Sequence, residues 1–208
     1  MQQIVLATKN HGKILEFQRL LGKHAGEIKV LGLSDFPDLP DVEESGITLS
    51  ENAKLKAKAI SDFTNLPALA DDSGLFIDAL NSDPGILSAR WGGYQGSNSA
   101  IRDQINISKV LDQLKHVRFA DRTAQFKAVV YFYMKKNNGV IIEKEELGIL
   151  PGAIITEPRG SGGFGYDPIF VPVGFDQTLA EISPEVKDEV SHRGIAMRAM
   201  TTFLLSNL

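Results

Sequence analysis

The chain has 208 residues, 43% of them hydrophobic and 23% charged, with a formal net charge of −4; this is the balance of a globular protein with room for a sizeable core. The absence of cysteine excludes disulfides, thiolate metal sites and cysteine nucleophiles, and fits a cytoplasmic location. No apolar run approaches the roughly 18–20 residues that span a bilayer, and the net negative charge argues against a nucleic-acid polymer as partner, because such binding draws on phosphate neutralisation.

Ile4 to Ala7 is a short β-branched apolar run, expected as a buried strand. It has no basic stretch before it and no cleavage site, so it does not read as a signal peptide. The polar break Thr8-Lys9-Asn10-His11-Gly12-Lys13 follows, and Ile14, Phe17, Leu20 and Leu21 then recur at helical spacing. Residues 27–33 read as a second strand and residues 34–46, rich in Asp, Pro and Glu, as a loop. Thr48-Leu49-Ser50-Glu51 matches a capping box, which predicts a helix over residues 51–63. Leu66 to Ala70 reads as a strand that ends in the turn formers Asp71-Asp72-Ser73-Gly74, with Leu75 to Leu80 as its continuation. Gly85 to Trp91 is expected to be extended or looped, and Asn98 to Leu114 helical.

Phe119 to Met134 has strong strand character, and Asn137-Asn138-Gly139 predicts a hairpin turn into a return strand over Val140 to Ile149. Gly160 to Gly165 is a glycine loop, and Ile169 to Val171 a short strand. Ser183-Pro184 starts a last helix expected to run towards Leu205. The fold class implied is α/β, a mixed elongated central sheet with flanking helices, drawn as one domain over residues 1–208 with two lobes around a cleft.

Five constellations carry chemistry. Thr8 to Lys13 stands where a helix N-terminus offers free N–H groups to an anion, although the P-loop spacing is absent; it also fits a plain capped turn. Glu43-Glu44 and Asp71-Asp72 supply carboxylates of the kind Mg²⁺ takes together with water and phosphate oxygens, and such a carboxylate can accept a proton from water. Either pair also fits a solvated acidic loop. Lys54, Lys56 and Lys58 alternate along a helix, so only one or two can face a common site. Gly160 to Pro168 combines glycines that permit close ligand approach with aromatic faces for a planar base. Lys187 and Ser191-His192-Arg193 place donors in the last helix, where donors facing a base would distinguish a carbonyl from an amino group; the stretch equally fits an exposed charged helix turn.

Together these stretches resemble the Ham1-like family of inosine/xanthosine triphosphate pyrophosphatases. The resemblance runs from Ile4 to about Arg193 and rests on Thr8-Lys9-Asn10-His11-Gly12-Lys13, Glu43-Glu44-Ser45-Gly46, Glu51-Asn52-Ala53, Ala70-Asp71-Asp72-Ser73-Gly74-Leu75, Pro84 to Arg90, Gly162 to Phe170 and Ser191-His192-Arg193. It implies a homodimeric hydrolase that converts dITP, ITP and XTP to the monophosphate and pyrophosphate with Mg²⁺. Thr8, Lys9, Asn10, His11, Gly12 and Lys13 would cradle the phosphates, with Lys56 as a second point charge. Glu43, or its neighbour Glu44, and Asp72 would hold the ion, and Asp72 would act as general base. Ser73 would touch substrate. Phe164, in the stretch Phe164-Gly165-Tyr166-Asp167, would stack on the purine, and Lys187, His192 and Arg193 would read it. Lys9, and Trp91 after the Ser-Ala-Arg stretch, depart from the usual family residues.

Two competing readings share some of these features. A Maf-like pyrophosphatase acting on modified pyrimidine nucleotides or dTTP shares the broad chemistry, but the Phe-Gly-Tyr-Asp and Ser-His-Arg stretches favour the Ham1-like reading. A nucleotide-binding sensor without catalysis would have no need for the paired acidic stretches.

Overall fold

The computed structural model describes residues 2–8, 10–24 and 28–207. Among them the strands are β1 (Gln2–Leu6), β2 (Ile28–Leu31), β3 (Ala68–Ile77), β4 (Thr123–Lys135), β5 (Ile141–Ile154) and β6 (Phe170–Pro172). The α-helices are α1 (His11–His24), α2 (Leu49–Thr64), α3 (Ser99–Leu114), α4 (Pro184–Val190) and α5 (His192–Asn207). The strands form one six-stranded sheet in the order β2-β1-β3-β4-β5-β6. β1 pairs in parallel with both β2 and β3, and β5 pairs antiparallel with β6. The mixed α/β class expected from the sequence is the class observed.

The chain packs as two compact units, one of Met1–Asp72, Ala128–Gly148 and Arg193–Leu208 and the other of Ser73–Lys127 and Ile149–His192. In the first unit, the consecutive residues Ile4, Val5 and Leu6 of β1 are all buried, as expected of a parallel strand covered on both faces. Phe17, Leu20 and Leu21 of α1 and Ala196, Met197, Met200 and Leu204 of α5 close around Ile4, Leu6, Leu69, Val130 and Phe132. In the second unit, Ile107, Val110 and Leu114 recur at helical spacing along α3 and pack with Leu75, Ile77, Phe126, Ile154 and Phe170.

Several local expectations need correction. Asp71-Asp72-Ser73-Gly74 is not a turn: β3 runs through it without a break. Gly74 is there for close approach, since a Cβ on it would lie 2.2 Å from the Gly85 carbonyl oxygen. Gly85–Arg90, within the stretch expected to be extended or looped, is a 3-10 helix. The capping box before α2 is half formed: Thr48 accepts from the Glu51 N–H, but the Glu51 carboxylate takes the N–H of Ile47 instead. The last helix is two helices, because Ser191 adopts extended backbone (φ −66°, ψ 153°) between α4 and α5. The hairpin turn is as expected, with Gly139 at φ 81°.

Candidate active site

In the first unit the acidic residues of β3 meet cations on two sides. Side chains alternate along a strand, so neighbouring Asp71 and Asp72 point to opposite faces and need not share a partner. Asp71 has no side-chain exposure; its Oδ2 lies 2.8 Å from Lys13 Nζ and 3.3 Å from Arg193 Nε. Arg193 Nη1 reaches Glu16 Oε2 at 3.1 Å. Burial opposes the Asp71 charge, but Lys13, Arg193 and Lys56 outweigh it and hold the carboxyl at about 2. Burial lowers the Lys13 pKa, an effect that Asp71 counters and that Arg193 and Lys56 reinforce.

Lys13 reaches Asp71 from the first turn of α1. Asn10 sets that turn, its Oδ1 accepting from the Lys13 N–H at 3.2 Å while its own N–H donates to Thr8 Oγ1. The Asn10 carbonyl accepts from the Ile14 N–H. Short polar residues before the helix thus order the turn that the sequence assigns to phosphate. Lys9 and the His11 side chain, both expected in this cradle, lie outside the described residues.

On the other face of β3, Asp72 lies beside α2. Lys56 Nζ donates to Glu44 Oε1 at 2.8 Å, to the Asp71 carbonyl at 2.7 Å and to Asp72 Oδ1 at 3.3 Å. An ammonium has three donors, and all three are used. Burial opposes the Lys56 charge, yet Asp72, Asp71 and Glu44 overcome it and raise the pKa. Asp72 is pushed upward, first by its own burial and further by Glu44 and Asp71, against Lys56 and Lys13. A buried carboxylate made more basic is suited to accept a proton. Lys54 and Lys58, one residue pair to either side, turn instead to Glu143 and Asp62 at the surface, as helical geometry requires.

Of the two glutamates, the structure brings Glu44 to this cluster and leaves Glu43 exposed. Glu44 and Asp72 come from different elements and converge on one cation, and their donors are hard oxygens. No group of three or more His, Cys, Asp or Glu side chains is placed to hold a metal among the described residues. Two carboxylates fit an ion such as Mg²⁺, which fills its remaining positions with water and phosphate oxygens.

The second unit builds a different surface. Asp167 Oδ2 accepts from the Phe164 N–H at 2.8 Å and from Lys187 Nζ at 2.5 Å. The Lys187 ammonium stands 4.8 Å from the centre of the Phe164 ring, within cation–π range. Gly163 has φ 71°, and a Cβ there would lie 2.1 Å from Asp167 Oδ2, so this position admits only glycine. The Gly165 N–H donates to Asp103 Oδ2 at 2.7 Å, and the Tyr166 hydroxyl to the Ser88 carbonyl at 2.9 Å. The glycine loop is thus anchored at both ends of Phe164-Gly165-Tyr166-Asp167.

His192 is buried, its ring stacked on Phe126 at 4.7 Å and 7°. Ser73 belongs to the second unit and is half-buried in β3. Sequence reasoning missed Glu16, Asn52, Ser88 and Asp103. Glu16 had a signal, since it shares a helical face with Lys13 and Leu20; nothing in the spacing marks Ser88 or Asp103.

The model of the Ham1 family matches residues 4–203. The chain is 43% identical over 204 residues to a dITP/XTP pyrophosphatase of Halalkalibacterium halodurans, covering 98% of this chain and 100% of that one. It is 42% identical over 200 residues to a dITP/XTP pyrophosphatase of Streptomyces coelicolor, covering 96% of each. Among solved structures, a HAM1 protein from Coxiella burnetii superposes with a TM-score of 0.84 at 42% identity, covering 99% of this chain and 100% of that chain. The Staphylococcus aureus Ham1 protein gives 0.83 at 38% identity, covering 100% of both chains. With sequence and backbone agreeing over nearly its whole length, the chain belongs to the Ham1 family.

Proposed function

We propose that this chain is a nucleoside-triphosphate pyrophosphatase that hydrolyses non-standard purine nucleotides, dITP, ITP and XTP, to the monophosphate and pyrophosphate. The observation that carries the chemistry is the convergence of Asp72 and Glu44 on Lys56, beside the strand position that holds Asp71 on Lys13. Relatives that cover nearly the whole chain at above 40% identity carry the name dITP/XTP pyrophosphatase, which supports the substrate class.

Hydrolysis forms a bond from water oxygen to the α-phosphorus and breaks the bond from that phosphorus to the bridging oxygen, releasing pyrophosphate. Asp72 accepts the proton of the attacking water, which its raised basicity favours. Glu44 and Asp72 would hold Mg²⁺, which when bound neutralises phosphate charge. Thr8, Asn10, Gly12 and Lys13, with Lys9 and His11, act on the phosphates through the N-terminal turn of α1. Lys56 bonds both carboxylates and is their counter-charge.

Base recognition falls to Phe164 and its surroundings. A purine stacked on the Phe164 ring meets the Lys187 ammonium, which donates and cannot accept. It pairs with the oxygen at C6 of inosine or xanthosine and opposes the amino group of adenosine, a mismatch that polar sites reject strongly. Asp167 and the backbone of Gly165 and Tyr166 fix the loop, and the family resemblance adds Ser73, His192 and Arg193 to the substrate-binding residues. Arg193, bonded to Asp71 and Glu16, serves first to order the Lys13–Asp71 pair. The protein works as a homodimer in the cytoplasm on free nucleotides; no helix among the described residues is long and apolar enough to cross a membrane.

Asp72→Asn tests the assignment. The variant is expected to keep the wild-type unfolding midpoint within a few degrees and lose at least about a hundredfold in kcat on ITP, the scale of general-base loss. Turnover within threefold of wild type would remove Asp72 from the mechanism.

A further inference from the structure

Asn52 carries no role in any reading of the site so far, although it lies in the stretch Glu51-Asn52-Ala53. It is fully buried in α2, an unusual place for an amide without a specific task. Its two polar ends reach different partners. Oδ1 accepts from the Gly46 N–H at 2.8 Å, and Nδ2 donates to Asp72 Oδ2 at 3.3 Å. Gly46 follows Glu43-Glu44-Ser45, so a single side chain ties the acidic loop to the carboxylate of β3.

We propose that Asn52 is a positioning residue for the hydrolytic step, holding the Asp72 carboxylate and the Glu44 loop in mutual register. This rests on the assignment of Asp72 and Glu44 made above. The chemistry of the amide explains the choice of residue. Only a side chain that both accepts and donates can serve a backbone N–H on one side and a carboxylate oxygen on the other. Aspartate has the shape but offers no donor at neutral pH, and leucine has the volume but neither group.

The two carboxylate oxygens of Asp72 are thereby distinguished. Oδ1 faces the Lys56 ammonium at 3.3 Å and Oδ2 the Asn52 amide at 3.3 Å. Two donors on separate oxygens fix the rotation of the carboxylate plane, and fixed orientation is a large part of catalytic advantage. Gly46 reports the tightness of the arrangement, because a Cβ on it would lie 2.7 Å from Asn52 Oδ1 and 2.7 Å from Glu51 Cβ. The loop backbone has to come this close for the amide to bridge.

Asn52→Asp separates the two bonds. It keeps an acceptor for Gly46 and replaces the donor to Asp72 by a repelling carboxylate. Asn52→Ala removes both bonds without adding charge, and covers the case in which the aspartate variant fails to fold. Each variant, with Asp72→Asn as control, is measured for kcat and KM on ITP at saturating Mg²⁺, for Mn²⁺ binding by electron paramagnetic resonance, and for unfolding midpoint without metal. We expect Asn52→Asp and Asn52→Ala to lower kcat at least tenfold while KM stays within threefold, and Asn52→Ala to weaken Mn²⁺ binding at least fivefold. If kcat stays within twofold of wild type in the folded variants, Asn52 does not act through Asp72. If Mn²⁺ affinity is unmoved in Asn52→Ala, the link to the acidic loop is absent. If KM and the unfolding midpoint move in step with kcat, the residue is a structural one only. Loss of turnover in Asp72→Asn with full turnover in the Asn52 variants rejects this inference alone, whereas full turnover in Asp72→Asn rejects the site assignment on which it rests.

Discussion

Replacing Asp71 by asparagine removes a carboxylate that faces Lys13 and Arg193 together, and the cost can be worked from the site. Asp71 Oδ2 lies 2.8 Å from Lys13 Nζ and 3.3 Å from Arg193 Nε, with no side-chain exposure. The drop of its pKa from 3.8 to about 2 corresponds to about 2 kcal/mol of native-state stability. Because the unfolded value is the higher one, this contribution is complete above about pH 5 and is lost as the pH falls towards 2. The variant also leaves the largely buried Lys13 without this counter-charge and takes from Arg193 one of its carboxylate partners, Glu16 remaining, and breaking such a pair from one side costs about 3–5 kcal/mol. Urea unfolding of metal-free wild type and Asp71→Asn at pH 7, 5 and 3 measures both quantities. The expected gap is about 3–5 kcal/mol at pH 7, narrowing by about 1 kcal/mol between pH 5 and pH 3. A gap below about 1 kcal/mol at pH 7, or one unchanged at pH 3, would refute the view that Asp71 is the buried charge partner.

Two further outcomes follow from the geometry. Glu44→Gln is expected to raise the Mg²⁺ concentration for half-maximal ITP hydrolysis at least tenfold, while Glu43→Gln leaves it within twofold; a metal titration of both variants checks the order, and the reverse result would return the role to Glu43. Lys187→Met removes the donor beside Phe164 while keeping an apolar stem, and should lower kcat/KM for ITP at least about tenfold, one lost charged hydrogen bond, with a smaller loss for ATP. Equal losses on both nucleotides would mean that Lys187 does not read the base.

Much of the fold was legible because its signals are local and periodic. Phe17, Leu20 and Leu21 announce α1, and Ile107, Val110 and Leu114 mark the buried stripe of α3, because a helix repeats its buried face every three to four residues. The helical period also limited how many of Lys54, Lys56 and Lys58 could face one site, while the family resemblance named Lys56. Asp71 to Gly74 misled because Asp, Ser and Gly are turn formers by local preference. The strand continues there because each carboxylate finds a cation distant in sequence, Lys13 and Arg193 for Asp71 and Lys56 for Asp72. That pairing is tertiary and has no local trace. The break at Ser191 is similar, as neither glycine nor proline marks it.

The site divides along the same line. Family motifs pointed to the Asp72 and Phe164 stretches, since each motif is a contiguous string. The choice between Glu43 and Glu44 depends on which side of a loop faces Lys56, and a loop without periodicity does not reveal that. Arg193 was expected at the base, and its bonds to Asp71 and Glu16 could be known only once α1, β3 and α5 were packed.

The central claim is tested most directly by pyrophosphate release from ITP, XTP, GTP and ATP, each with Mg²⁺ and with the ion chelated. The account expects rapid release from ITP and XTP, release at least about a hundredfold slower from ATP, the scale of a polar mismatch, and negligible turnover of any substrate after chelation. Full activity without a divalent ion, or equal turnover of ATP and ITP, would contradict it.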